Sequence, residues 1–246
     1  MGVSKLEQQT YLPLRIFVGY DERESIAWHT LCHSIYSRSS RPVTICPINN
    51  SNLVGIHNRA RDIRQSNSFS FTRFLAPYLS GYEGWAVYMD CDMLMNTDIC
   101  ELFDQYCDPD KAVYVVQHDY ESKVRNKYLG NIQYSYPRKN WSSFVLWNCG
   151  HAANKTVTPE FVNEAEPAML HRFLWLEDHE IGSLGVVWNW LVGEYQDPPT
   201  DVKNIHWTLG GPYFEGTRNA EFAGLWNEEF HSMIYCEQLK ASKEAG

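Results

Sequence analysis

The chain has 246 residues, a formal net charge of −9 and an apolar fraction of 44%. That length suits one α/β domain able to bury a full core, and the acidic balance, with no long Lys/Arg cluster, argues against nucleic acid or an anionic membrane surface as partner. The seven cysteines form no CxxC pair and no zinc spacing, no apolar run reaches membrane-spanning length, and "MGVSKLEQQTYLPLR" has no apolar leader core; the expectation is a cytoplasmic protein that uses cysteine as a small apolar filler.

Residues 1–14 are mostly polar and are expected to be a disordered N-terminal segment, with one folded domain over 15–246. "RIFVGY" (15–20) reads as a buried strand. It runs into "DERES", an acidic helix start, after which Ala27, Leu31, Ser34 and Ile35 recur at helical spacing. "RPVTICPI" is a second strand, and the β-α-β order marks a doubly wound α/β sheet. In "FSFTRFLAPYLSGY", Phe71, Phe74, Leu75, Tyr78 and Leu79 make one apolar stripe, Arg73 lies off it, and Pro77 should kink the helix or stand near its start. The strand "WAVYM" then delivers Asp90 and Asp92. "TDICELF" is a short helix with Asp98 and Glu101 spaced as a capping box. "KAVYVVQ" and "SSFVLWNCG" are further strands. Between them lies a polar, Tyr-rich stretch from His118 to Asn140, of the length of a lid or binding loop. "TPEFVNEA" opens another helix, and short elements lead to a closing helix near Phe222 to Leu239. Neither a repeat nor a low-complexity segment interrupts this order.

Open α/β sheets bind ligands beyond the carboxyl ends of their strands. Three predicted strand ends carry polar groups there: Tyr20–Asp21, Asp90–Asp92 and Asn148–Gly150. Alternation along an extended chain points Asp90 and Asp92 one way and Met89, Cys91 and Met93 the other. Two carboxylates on one face repel unless a cation lies between them, and a hard divalent cation suits two oxygens with phosphates and water completing its shell. A pair of solvated loop aspartates is the bland alternative. The apolar strand and the tight spacing favour the metal.

An apolar strand ending in Asp-x-Asp also occurs in haloacid-dehalogenase-like phosphatases, but on their first strand and with Thr or Val where this chain has Met93. The wider pattern resembles the GT-A nucleotide-diphospho-sugar glycosyltransferases, in particular family 8, the retaining group with glycogenin-like and lipopolysaccharide galactosyltransferase-like members. "RIFVGYDERE", "FTRFLAPYL", "VYMDCDML", "LWNCG", "LEDHEIGSL" and "HWTLGGPYF" resemble that family's motifs in its order, across most of residues 15–214. The resemblance implies a GT-A (Rossmann-like) mixed sheet flanked by helices in a single domain. It implies Mn²⁺ or Mg²⁺ on Asp90, Asp92 and His206, the imidazole favouring Mn²⁺. A UDP-hexose would be the donor, with Tyr20 and Asp21 at the nucleoside, although Asp21 also suits a helix cap. Arg73 would fork onto phosphate or a donor hydroxyl, its alternative being a surface salt bridge. Asn148 would bond the donor sugar with Gly150 giving close approach, and Asp178 would stand near the anomeric carbon, where the neighbouring His179 replaces the family's usual Gln. The family's diphosphate-binding Lys is missing from "GGPYFEG". Backbone N–H groups of Gly210 and Gly211, Arg218, or Lys123, Arg125 and Lys127 are the candidate replacements. The acceptor is an unidentified glycan, protein or small molecule, and Trp141, Trp175, Trp188, Trp190 and the Tyr-rich loop are candidates to line its site, though most tryptophans are expected in the core. Two other functions stay open on sequence: the phosphatase above, and a non-catalytic nucleotide-sugar or glycan binding protein, which the missing Lys favours.

Overall fold

The computed structural model describes residues 13–60, 67–119 and 137–235. Most of the expected N-terminal segment, most of the Tyr-rich loop with Lys123, Arg125 and Lys127, and residues 236–239 of the expected closing helix lie outside them. Strand β1 (Leu14–Gly19) pairs in parallel with β2 (Val43–Ile48) on one side and β3 (Trp85–Met89) on the other. Helix α1 (Ser25–Arg38) makes the first crossover, burying Ala27, Leu31, Ser34 and Ile35 as their spacing requires. Beyond β3 the sheet changes direction. β6 (Phe144–Asn148) is antiparallel to both β3 and β5 (Val113–Val116), and β7 (Ile181–Leu184) is parallel to β5. The order is therefore β2-β1-β3-β6-β5-β7, a mixed sheet, with Ala86 to Met89 and Phe144 to Leu146 buried on both faces.

After β3 the chain leaves this sheet through Asp90, Cys91 and Asp92 and enters β4 (Met93–Met95). β4 pairs antiparallel with β9 (Asn204–His206), which pairs in parallel with β8 (Trp190–Leu191). The small sheet has its own core of Leu94, Trp190, Val192, Val202, Ile205, Trp207 and Trp226, the last from α6 (Ala223–Ile234). The two aspartates thus stand at the junction of two sheets.

Two local expectations change. Residues Thr72–Leu75 form a 3₁₀ turn that hands over to α2 (Ala76–Leu79), so Pro77 falls in a helix's first turn, where its missing N–H costs nothing, and Tyr78 is exposed. Asp98 does cap α3 (Cys100–Tyr106), accepting from the Cys100 N–H at 2.9 Å. Glu101 does not complete a capping box. Its carboxylate turns to the Thr97 hydroxyl at 2.7 Å and the Lys203 ammonium at 2.5 Å, a charge-assisted contact that outcompetes a backbone donor.

Candidate functional site

The carboxyl end of β3 delivers Asp90 because its N–H is held by the Ser143 carbonyl at 3.0 Å, one step before β6. Two residues on, the Asp92 carbonyl accepts from the Trp207 N–H at 3.0 Å, beside β9. His206 closes β9 directly opposite Met93. These ties bring one carboxylate oxygen from Asp90, one from Asp92 and a ring nitrogen of His206 within 4.8 Å of one another, all three side chains buried.

Arg73 and Tyr88 enclose the Asp90 end of this cluster. The buried Arg73 guanidinium spans both Asp90 oxygens at 3.1 and 3.2 Å and donates to the Ser142 carbonyl at 3.0 Å. Its carbon lies 5.7 Å from the Phe69 ring centre and 5.4 Å from that of Tyr88. The Tyr88 hydroxyl donates to Asp90 Oδ1 at 2.8 Å, and burial pushes that phenol well above its ordinary pKa, so it stays a donor. Burial also pushes the Asp90 carboxyl up. Arg73 opposes that shift and the Asp92 charge adds to it. A dication among these ligands would relieve the strain of two buried carboxylates. Two oxygens and an imidazole form a donor set that fits Mn²⁺ or Mg²⁺.

His206 is oriented from behind. Its Nδ1 lies 2.9 Å from Asn189 Oδ1, and its Nε2 lies 3.3 Å from Asp92 Oδ1. Asn189 in turn reaches the Ser143 hydroxyl at 2.9 Å and His118 Nε2 at 3.0 Å. Burial, with His206 nearby, pulls the His118 pKa down to about 3, so that ring is neutral. Asn189, His118 and Ser143 were not anticipated from sequence. The available signal was "WNW", a polar residue inside an apolar run, which a buried position must satisfy with partners.

Among the other expected residues, Tyr20 and Asp21 do stand at the carboxyl end of β1. Tyr20 packs edge-on against Trp28 with ring centres 6.0 Å apart. Asp21 is 2% exposed and caps the following turn, accepting from the Arg23 N–H and side chain and from both the N–H and hydroxyl of Ser68. Burial pushes that carboxyl up, but these donors outweigh it and hold its pKa at about 2. The contacts carry the cap role of Asp21 and leave little of the carboxylate for a nucleoside. Arg73 is no surface salt bridge, and it reaches Asp90 rather than open space.

Asn148 and Asp178 are corrections. Because β6 runs antiparallel to β3, Asn148 pairs with Trp85 at the far end of that strand, opposite Asp90. Its amide donates to the carbonyls of Pro109 and Lys111. Gly150 follows it to the same end. Asp178 stands on the turn leading into the amino end of β7, again the far edge, because β7 is parallel to β5 and hence to β3. Its side chain is 87% exposed and pairs with Arg138. Gly210 spends its N–H on the Trp207 carbonyl, so it does not join Gly211 in an anion nest. Gly211 is glycine because a Cβ would overlap the Tyr213 ring, whose hydroxyl donates to the buried Glu24 at 2.6 Å and ties this turn to the end of β1. Trp188 and Trp190 are core, and Trp175 packs in an aromatic cluster with Trp147, Phe74 and Phe173.

No family model matches the chain. It is 52% identical over 223 residues to Protein CDI of Arabidopsis thaliana, covering 88% of this chain and 86% of that protein. The chain belongs to the Protein CDI family. Its fold is that of the GT-A glycosyltransferases, as the sequence motifs implied. Against the galactosyltransferase LgtC, solved with donor and acceptor sugar analogues, the TM-score is 0.56 at 12% identity, over 89% of this chain and 96% of that one. Against the glycosyltransferase GlyE of Streptococcus pneumoniae TIGR4 it is 0.61 at 13% identity, over 94% of this chain and 64% of that one. Against the bifunctional WbbM it is 0.55 at 15% identity, over 89% of this chain, which spans about half the length of that protein. The paired acids follow the third strand of the chain and not the first, unlike the phosphatase arrangement. No helix of the described residues is long and apolar enough to cross a membrane.

Proposed function

We propose that this protein is a metal-dependent retaining glycosyltransferase that moves a hexose from a nucleoside-diphosphate sugar, with UDP as the nucleotide, to a hydroxyl acceptor. The observation that carries it is the buried Asp90–Asp92–His206 cluster on a GT-A fold, at the junction where β3 leaves the main sheet. These three residues would hold Mn²⁺ or Mg²⁺, which when bound neutralises charge developing on the departing diphosphate. Arg73 and Tyr88 fix Asp90 in place and favour its carboxylate form against the opposing effect of burial. His206 presents Nε2 to the cluster. In this reading Tyr20, at the end of β1, meets the base, and the Gly210–Gly211 turn, four residues past His206, lies toward the phosphates. Retention rests on the family-8 motifs and not on Asp178. The same reading puts the protein in the cytoplasm, with Cys32, Cys91, Cys100 and Cys149 as buried apolar fillers.

A thermal-shift panel of nucleoside diphosphates and their sugars, with and without Mn²⁺, tests the donor side. Stabilisation that needs both Mn²⁺ and a uridine diphosphate is expected. Transfer or slow UDP-hexose hydrolysis should then vanish in Asp92→Asn while the melting profile stays cooperative. Full activity of that variant in excess chelator would defeat the reading, and UDP-sugar binding with no turnover would favour the non-catalytic binder.

A further inference from the structure

Asn189 is wholly buried on the turn between β7 and β8, and its amide is bonded on both sides. The Ser143 hydroxyl donates to the Asn140 carbonyl at 2.7 Å, so toward Asn189 Nδ2, 2.9 Å away, it acts as acceptor. That orients the amide, with Nδ2 toward Ser143 and His118 and Oδ1 toward His206 Nδ1 at 2.9 Å. The neutral His118 ring accepts on Nε2 and therefore carries its proton on Nδ1, facing the Tyr195 hydroxyl at 2.6 Å. Every member of this chain has one consistent role, and His206 is left as a donor at Nδ1. Nε2 then faces Asp92 Oδ1, 3.3 Å away.

We propose that Asn189 is a positioning residue that locks His206 in the Nδ1–H tautomer, so that Nε2 faces Asp90 and Asp92 as a ready ligand. Without an acceptor at 189, the Asp92 carboxylate would draw the ring proton to Nε2 and fill the ligand position with hydrogen. The same amide bonds Ser143, whose carbonyl holds the Asp90 N–H, so one side chain sets the imidazole of the small sheet against the strand end of the large one. Partners behind a metal-binding histidine fix its tautomer and ring orientation in this way. The purpose of the lock rests on the proposed metal site, but the tautomer itself does not.

The test uses the full chain, metal-free and ¹⁵N-labelled, in two-bond ¹H–¹⁵N spectra of the imidazoles, with His206 assigned by the signal lost in H206N. Nδ1–H is expected in the native protein and in N189D, which keeps an acceptor. N189L should shift His206 toward Nε2–H and weaken Mn²⁺ binding by about 10- to 100-fold, with N189D recovering most of that loss. An Nε2–H tautomer in the native protein overturns the proposal, as does native Mn²⁺ affinity in a folded N189L. If the native chain bound no Mn²⁺, the functional reading would fall, and the native and N189D tautomers would still decide the role of Asn189.

Discussion

Arg73→Leu isolates what keeps two acids buried together. The guanidinium meets Asp90 at 3.1 and 3.2 Å, with both side chains more than nine-tenths buried. At that separation, in an effective dielectric of about 20, the attraction is about 5 kcal/mol. Removing one partner of a buried pair costs about 3–5 kcal/mol, because the remaining charge is left desolvated. Leucine keeps apolar bulk between Phe69 and Tyr88, so the loss reports charge more than volume. Urea denaturation followed by tryptophan fluorescence should show native stability minus about 3–5 kcal/mol at an unchanged slope. Mn²⁺ at about a hundred times its Kd stabilises any binder by about 2.7 kcal/mol. At one fixed Mn²⁺ concentration the recovery should be larger in Arg73→Leu than in the native protein, because the dication replaces the missing positive charge beside Asp90 and binds the variant more tightly. Arg73→Lys, which keeps the charge and loses the fork, should fall between the two. A loss below about 1 kcal/mol in Arg73→Leu, with no difference in Mn²⁺ response, would refute the electrostatic account of the site.

Asp21→Asn should cost about 2 kcal/mol near neutrality, the equivalent of a pKa held at about 2 instead of 3.8. That stability is present above the ordinary carboxylate pKa and is lost as pH falls toward about 2, so the gap between variant and native in acid unfolding should close there; a gap constant with pH would contradict it. Asn148→Ala should cost about 1–3 kcal/mol, since the Pro109 and Lys111 carbonyls lose a buried donor, while leaving Mn²⁺ affinity as it was. Asp178→Ala, at an exposed ion pair, should change stability by less than about 0.5 kcal/mol and also leave Mn²⁺ affinity alone. A tenfold weaker Mn²⁺ isotherm in either variant would return that residue to the site.

The parts of the site that could be read in the sequence are those set by local rules. A run as apolar as "WAVYM" must be buried, so acids at its carboxyl end were accessible before any contact was known; what brings Asp90 and Asp92 together is the turn between β3 and β4 and not the alternation of an extended strand. The glycine pair after His206 signalled a tight turn, although its reason is the Tyr213 ring folding back on Gly211. Strand direction is not local. "SSFVLWNCG" reads the same whether it runs with or against β3, and antiparallel pairing alone sends Asn148 to the wrong edge. Asp178 failed for a related reason, since only the parallel β5–β7 pairing fixes at which edge of the sheet the amino end of β7 lies. Arg73, off the apolar stripe, was expected to reach a donor phosphate or hydroxyl, with a surface salt bridge as the alternative; in the 3₁₀ turn at Thr72–Leu75 it is buried and pairs with Asp90. Asn189 required three distant residues, His118, Ser143 and His206, to come together before its burial made sense.

Anomalous diffraction at the manganese edge, from crystals soaked with Mn²⁺ and UDP, tests the central claim most directly. One manganese peak is expected, held by Asp90, Asp92 and His206 Nε2 and next to the UDP phosphates. A peak held by other side chains, or ordered UDP whose phosphates lie away from these three, would contradict it.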